Sequence, residues 1–185
     1  VIPFAPITFF VDWLTTDKEW RRTKARDPST IGVEALRVAR GELGKGESGG
    51  NNRGDDVDRY RGSLRGTGAW CSAFVGYCLA QACQRLVRAM PVQRSNGARQ
   101  LFRRIVTVGW KVKYHDMQPG DVVLFARGPE GSWKAHVAFV SQVRRSTTGR
   151  VTRFSIIEGN AGSYPARVRE IEATKRKRRI GFARV

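Results

Sequence analysis

The sequence predicts an α+β fold with N-terminal helices packed on an antiparallel β-sheet meander. Three observations carry this prediction. Apolar residues at Val75, Cys78, Leu79, Ala82, Cys83 and Leu86 recur at helical spacings of three and four. Beyond residue 120 the period changes to two, in short runs rich in β-branched and aromatic residues. Turn signals separate those runs, Pro119-Gly120 and Thr148-Gly149 among them. Helices first and antiparallel strands afterwards define the α+β class.

The elements follow in order. Ser29 or Thr30 can cap a helix from Ile31 to Leu43, whose Ile31, Ala35, Val38 and Ala39 share one face. Residues 44–54 are rich in Gly and Asn and predict a loop. Asp55 to Tyr60 predicts a short helical turn, and Gly62 to Gly68 a second loop. Cys71 opens the long helical pattern, which continues to Met90 and stops at Pro91. Ala98 to Val106 predicts another short helix. Strands are expected at Asp121–Phe125, His136–Val143, Val151–Glu158, Arg167–Ile171 and Ile180–Val185. There is no internal repeat.

The 185 residues suit one domain with an appendage. At 41% hydrophobic the chain can build a core. No run of 18 apolar residues exists, which excludes a transmembrane helix. Residues 1–28 are expected to form an arm and linker, and 29–185 the domain. Val1 to Leu14 is apolar but broken by Pro3, Pro6 and Asp12, and lacks the n-region and cleavage site of a signal peptide. It is expected to be an extended arm that docks on its own domain or on a neighbouring chain. The five consecutive cations at 175–179 precede a closing strand and predict a turn within the domain. Lys and Arg number 34 against 16 Asp and Glu, a net charge of +18 that points to polyanionic surroundings: nucleic acid, anionic lipid or an acidic wall polymer.

Cys71 is the most informative residue. It stands where a Gly-rich loop meets a helix N-terminus, and the helix dipole there favours the thiolate. Cys78 and Cys83 lie on the apolar face of the same helix and fit the core. Three cysteines without a C-x-x-C pair, and only two histidines, disfavour a disulfide or a zinc site. A nucleophilic cysteine needs a base. His115 sits in a polar turn and is expected at the surface; His136 opens a strand and can reach a cleft. Glu158 and Asn160 lie two apart in an extended segment, so both can face the strand that bears His136. Either can orient its ring, with Glu158 favoured as the direct partner and Asn160 as support. Gly159 between them permits close backbone approach. Trp70 and Trp133 flank the nucleophile and the histidine; they can line a substrate groove or pack in the core.

Taken together, these residues resemble the CHAP family, the cysteine, histidine-dependent amidohydrolase/peptidase domains. Glu47 with Gly50-Asn51-Asn52-Arg53-Gly54 resembles the Asn-rich loop ahead of the nucleophile. Trp70-Cys71-Ser72-Ala73-Phe74-Val75 is similar to the nucleophile motif. Pro119-Gly120-Asp121-Val122-Val123-Leu124-Phe125 resembles the strand before the histidine, and His136-Val137-Ala138-Phe139-Val140 the histidine strand. Glu158-Gly159-Asn160 resembles the Glu-x-Asn element, and Gly181-Phe182 the closing strand. NlpC-type peptidases are near neighbours, but they usually carry Asp-Cys-Ser and a histidine as the third polar residue, whereas this chain has Trp before Cys71 and only two histidines. The resemblance implies a papain-like (CHAP/NlpC-type) fold and the catalytic set Cys71, His136, Glu158 and Asn160. It implies hydrolysis of amide bonds in peptidoglycan at the bacterial cell wall, in the periplasm, outside the cell or from a virion. No cofactor is expected. Calcium, which some family members bind, has only Asp55, Asp56 and Asp58 as candidate ligands, and these lack an EF-hand-like series.

Three function classes remain. The first is a peptidoglycan hydrolase, an N-acetylmuramoyl-L-alanine amidase or a cross-bridge endopeptidase, carried as a phage lysin, virion-borne lytic domain or antibacterial effector. Its partners would be peptidoglycan and anionic wall polymers. The second is a basic nucleic-acid-binding or virion structural protein on the same scaffold; scattered cations and the lack of a nucleic-acid motif weigh against it. The third is a cysteine protease acting on protein.

Overall fold

The computed structural model of the chain describes residues 31–173 and 178–185. The expected arm and linker at 1–28, the cap at Ser29 or Thr30, and residues 175–177 of the basic run lie outside the described residues. Four α-helices are described: α1 Ile31–Gly41, α2 Asp55–Arg61, α3 Cys71–Arg85 and α4 Ala98–Val108. Six strands follow: β1 Trp110–Val112, β2 Val122–Ala126, β3 Ala135–Arg145, β4 Val151–Ala161, β5 Arg167–Glu172 and β6 Arg179–Arg184. Among the described residues no helix is long and apolar enough to cross a membrane.

The strands form one antiparallel sheet in the order β1-β6-β2-β3-β4-β5. β2 to β5 are the predicted meander. β6 then returns to pair with β2 and carries β1 on its outer side. The alternation along β2 explains the layering. Val122 and Leu124 join the helical layer, with Leu36, Phe74, Leu79 and Ile105. Val123 and Phe125 point the other way, into a smaller cluster with Met117, Val140, Phe154 and Phe182.

Two elements differ from expectation. α3 stops at Arg85 rather than Met90. Val87 takes a left-handed φ of 52°, Val87 N donates to Gln84 O, and Arg88 N donates to Cys83 O. That pair of bonds is the Schellman closure of a helix C-terminus. The segment beyond is drawn away by tertiary bonds. The Arg94 guanidinium donates to the carbonyls of Tyr60 and Arg61, and Ser72 Oγ donates to Ser95 O at 2.6 Å. β1 went unpredicted because three residues carry no readable period.

A buried ion pair fastens β6 to the start of β2. Arg184 Nε and Nη2 donate to Asp121 Oδ1 and Oδ2 at 2.6 and 2.9 Å, and Nη2 also reaches Asp116 O at 3.0 Å. Asp121 is 1% exposed and Arg184 8%. Burial raises the Asp121 pKa despite the opposing guanidinium. Removing one partner strands the other charge, so Arg184→Ala is expected to cost about 3–5 kcal/mol of stability in a denaturant titration.

Candidate active site

The first turn of α3 meets β3 and β4 where His136 and Glu158 stand. Cys71 is the first helical residue, after Trp70 with φ −109° and ψ 10°. No side chain caps this terminus and no acidic residue lies in its first turn, so its amide dipoles act on the thiol unopposed. His136 is the second residue of β3, with no exposed surface. Its Nε2 lies 2.8 Å from Glu158 Oε2, and Glu158 is also fully buried. The other oxygen, Oε1, is 3.4 Å from Arg169 Nε on β5.

Glu158 thus occupies Nε2, and Nδ1 is the ring nitrogen left for chemistry. It is buried and has no hydrogen-bond partner among the described residues. The thiol and the imidazole nonetheless act on each other electrically. Burial pushes the Cys71 thiol up, but His136, the Val137 backbone N–H and the Arg127 charge outweigh it and hold the thiol below its ordinary range. Burial pushes His136 down, but Cys71 and Glu158 outweigh it and raise the ring. Both shifts run in the direction of thiolate and imidazolium. Cys78 and Cys83 provide the contrast within the same helix: burial raises both thiols.

Gly159 explains how β4 comes so close to α3. A Cβ there would lie 2.7 Å from the Trp70 ring and 2.8 Å from Phe74. Asn160 follows with φ 56°, at a register shift in the β4–β5 pairing between Glu158 and Ala161. The imidazole partner is Glu158. His115 is exposed, 3.4 Å from Asp116.

The substrate-stacking expectation for Trp70 is corrected. Its side chain has no exposed surface; it stacks on Tyr60 at 5.5 Å and packs edge-on to Phe74. A ring without exposed surface cannot stack on a substrate. Trp133 is 81% exposed in the loop that leads to β3. Of the three aspartates, Asp56 pairs with Arg59 at 2.8 Å and accepts from Gly46 N, and Asp58 is 3.7 Å from Arg61. Among the described residues no three His, Cys, Asp or Glu side chains form a group suited to a metal ion.

Glu47, which the sequence marks only as part of the Asn-rich loop, has a structural role that no local pattern assigns. It is fully buried and accepts from Trp70 Nε1 at 3.1 Å, Asn52 N at 2.9 Å and Ala166 N at 2.7 Å. Burial pushes its carboxyl up, but these donors and the Arg167 charge hold it below the usual range. One carboxylate thus joins the Gly-rich loop, the residue before Cys71 and the entry to β5. Its place in the Gly- and Asn-rich loop signals the loop, and not the three donors that the carboxylate gathers. Glu47→Gln exchanges an accepting oxygen for an N–H group that faces donors. The expected loss is about 2–3 kcal/mol, seen as a lowered melting temperature.

No curated protein matches the chain. The family profile of the CHAP domain matches residues 63–160, a span that holds Cys71, His136, Glu158 and Asn160. That match covers more than half of the sequence, and the chain therefore belongs to the CHAP domain family.

Proposed function

We propose that this domain hydrolyses amide bonds in peptidoglycan, as an N-acetylmuramoyl-L-alanine amidase or a cross-bridge endopeptidase. The observation that carries the proposal is the convergence of Cys71, at a helix N-terminus, with a buried His136 held by Glu158 at 2.8 Å. In the proposed route the Cys71 thiolate attacks the amide carbonyl. Backbone N–H groups at the start of α3 stabilise the oxyanion. His136 Nδ1 delivers a proton to the leaving amine, and a thioester remains. The imidazole then takes a proton from water, whose oxygen attacks the thioester and frees the thiolate. Glu158 holds the ring throughout, and Asn160 supports the turn that presents it. Exposed Trp133 is proposed to stack on substrate, and the net charge of +18 to retain the enzyme among anionic wall polymers.

Purified peptidoglycan is the test substrate, with Cys71→Ala as control and mass spectrometry of the products. Free stem peptides beside intact glycans, from wild type alone, identify an amidase. Split cross-links from wild type alone identify an endopeptidase. An untouched wall in both digests rejects the proposal.

A further inference from the structure

A groove of about 910 Å³ runs between α4 and the β1–β6 edge of the sheet, apart from Cys71, His136 and Glu158. Its size is that of ligand-binding clefts. Phe102, Val106 and Leu124 form an apolar floor, and Ile180, 44% exposed, stands at the mouth. Arg99, Arg103, Lys111 and Lys113 line the rim, and no described carboxylate does. Arg103, Lys111 and Lys113 are exposed. Arg99 is fixed at one end, where Nη2 donates to Ser132 O at 2.8 Å.

We propose that this groove binds an anionic phospholipid at a bilayer surface. The hydrocarbon lies on the apolar floor and the headgroup phosphate sits among the rim cations. The two features together select the ligand. A soluble polyanion would engage the cations and leave the floor in water, whereas a neutral apolar ligand would leave four like charges without a counter-charge. An anionic amphiphile satisfies both, as basic and apolar surfaces do at membranes. The inference is independent of amide hydrolysis, since none of the groove's residues belongs to the proposed catalytic set.

The test is flotation of the full chain with vesicles of equal parts phosphatidylcholine and phosphatidylglycerol, beside vesicles of phosphatidylcholine alone. Binding to the anionic vesicles only is expected. Arg103→Glu/Lys111→Glu is expected to weaken it about tenfold or more. Arg144→Glu/Arg153→Glu, on β3 and β4, changes net charge equally and is expected to leave it within about twofold, since those charges lie off the groove. Val106→Asn alters the floor without changing charge and is expected to weaken binding; Ile180→Ser replaces it if it fails to fold. Four results overturn the proposal. One is no binding to anionic vesicles. The second is equal loss from both charge reversals, which leaves only diffuse attraction. The third is full binding by the floor variant with displacement by soluble polyphosphate, which assigns the rim to a polyanion. The last is a lipid-free dimer that the groove reversal dissolves, which assigns the groove to a second copy.

Discussion

Cys71→Ala is expected to lower turnover about ten-thousandfold or more, while the protein stays folded. The sulfur supplies the only bond to substrate in the proposed route, so no other group on the domain substitutes for it. The structural loss is small, because one buried sulfur atom leaves and the helix start keeps its backbone bonds, such as Phe74 N to Trp70 O at 2.9 Å. His136 loses one of the two groups that hold its pKa up, and the ring moves toward the neutral form. Product formation measured beside a melting curve separates lost chemistry from lost folding. A variant that retained more than a small fraction of wild-type turnover would remove Cys71 from the mechanism.

Glu158→Gln is the second large effect, and it acts through the tautomer. Glu158 can only accept, so the 2.8 Å bond requires the proton on Nε2 and leaves Nδ1 to take a proton from the thiol. A glutamine at this position can donate instead. The ring then protonates at Nδ1 and cannot act as base toward Cys71. Loss of about a thousand- to ten-thousandfold in kcat is expected, comparable with the wrong-tautomer effect in a serine triad. The substitution also removes the charge that Arg169 faces at 3.4 Å. A drop in kcat with KM nearly unchanged is the expected pattern, because Glu158 has no exposed surface with which to touch substrate.

What the sequence discloses follows the range of each interaction. Cys71 stood out because a helix start is written in the adjacent residues. Glu158 stood out because alternation along one strand places it beside β3, where His136 lies. Gly159 also declared itself, since a glycine between two polar strand residues signals close approach, and Trp70 and Phe74 are what approaches it. Trp70 was ambiguous because its burial is set by Tyr60 and by Glu47, 23 residues away in sequence. Glu47 also binds Ala166 N across 119 residues, and no local pattern encodes that. The end of α3 was misplaced for the same reason. Leu86 continues the apolar spacing, but Arg94 and Ser95 hold the next segment against Tyr60, Arg61 and Ser72. The return of β6 to β2 is a choice of partner, which a strand's own period does not specify.

The central claim is that Cys71 and His136 form a thiolate–imidazolium pair. Alkylation with iodoacetamide as a function of pH, read site by site by mass spectrometry, tests it most directly, and Cys78 and Cys83 serve as controls in the same chain. Because the Cys71 pKa is depressed, its alkylation rises at lower pH than that of an ordinary thiol. Because the His136 pKa is raised, the pair persists as pH rises until the imidazolium loses its proton. The account predicts selective Cys71 labelling at neutral pH, and in His136→Ala a midpoint moved up toward or above the ordinary thiol range. Equal labelling of all three cysteines, or a Cys71 midpoint that His136→Ala does not move, would contradict it.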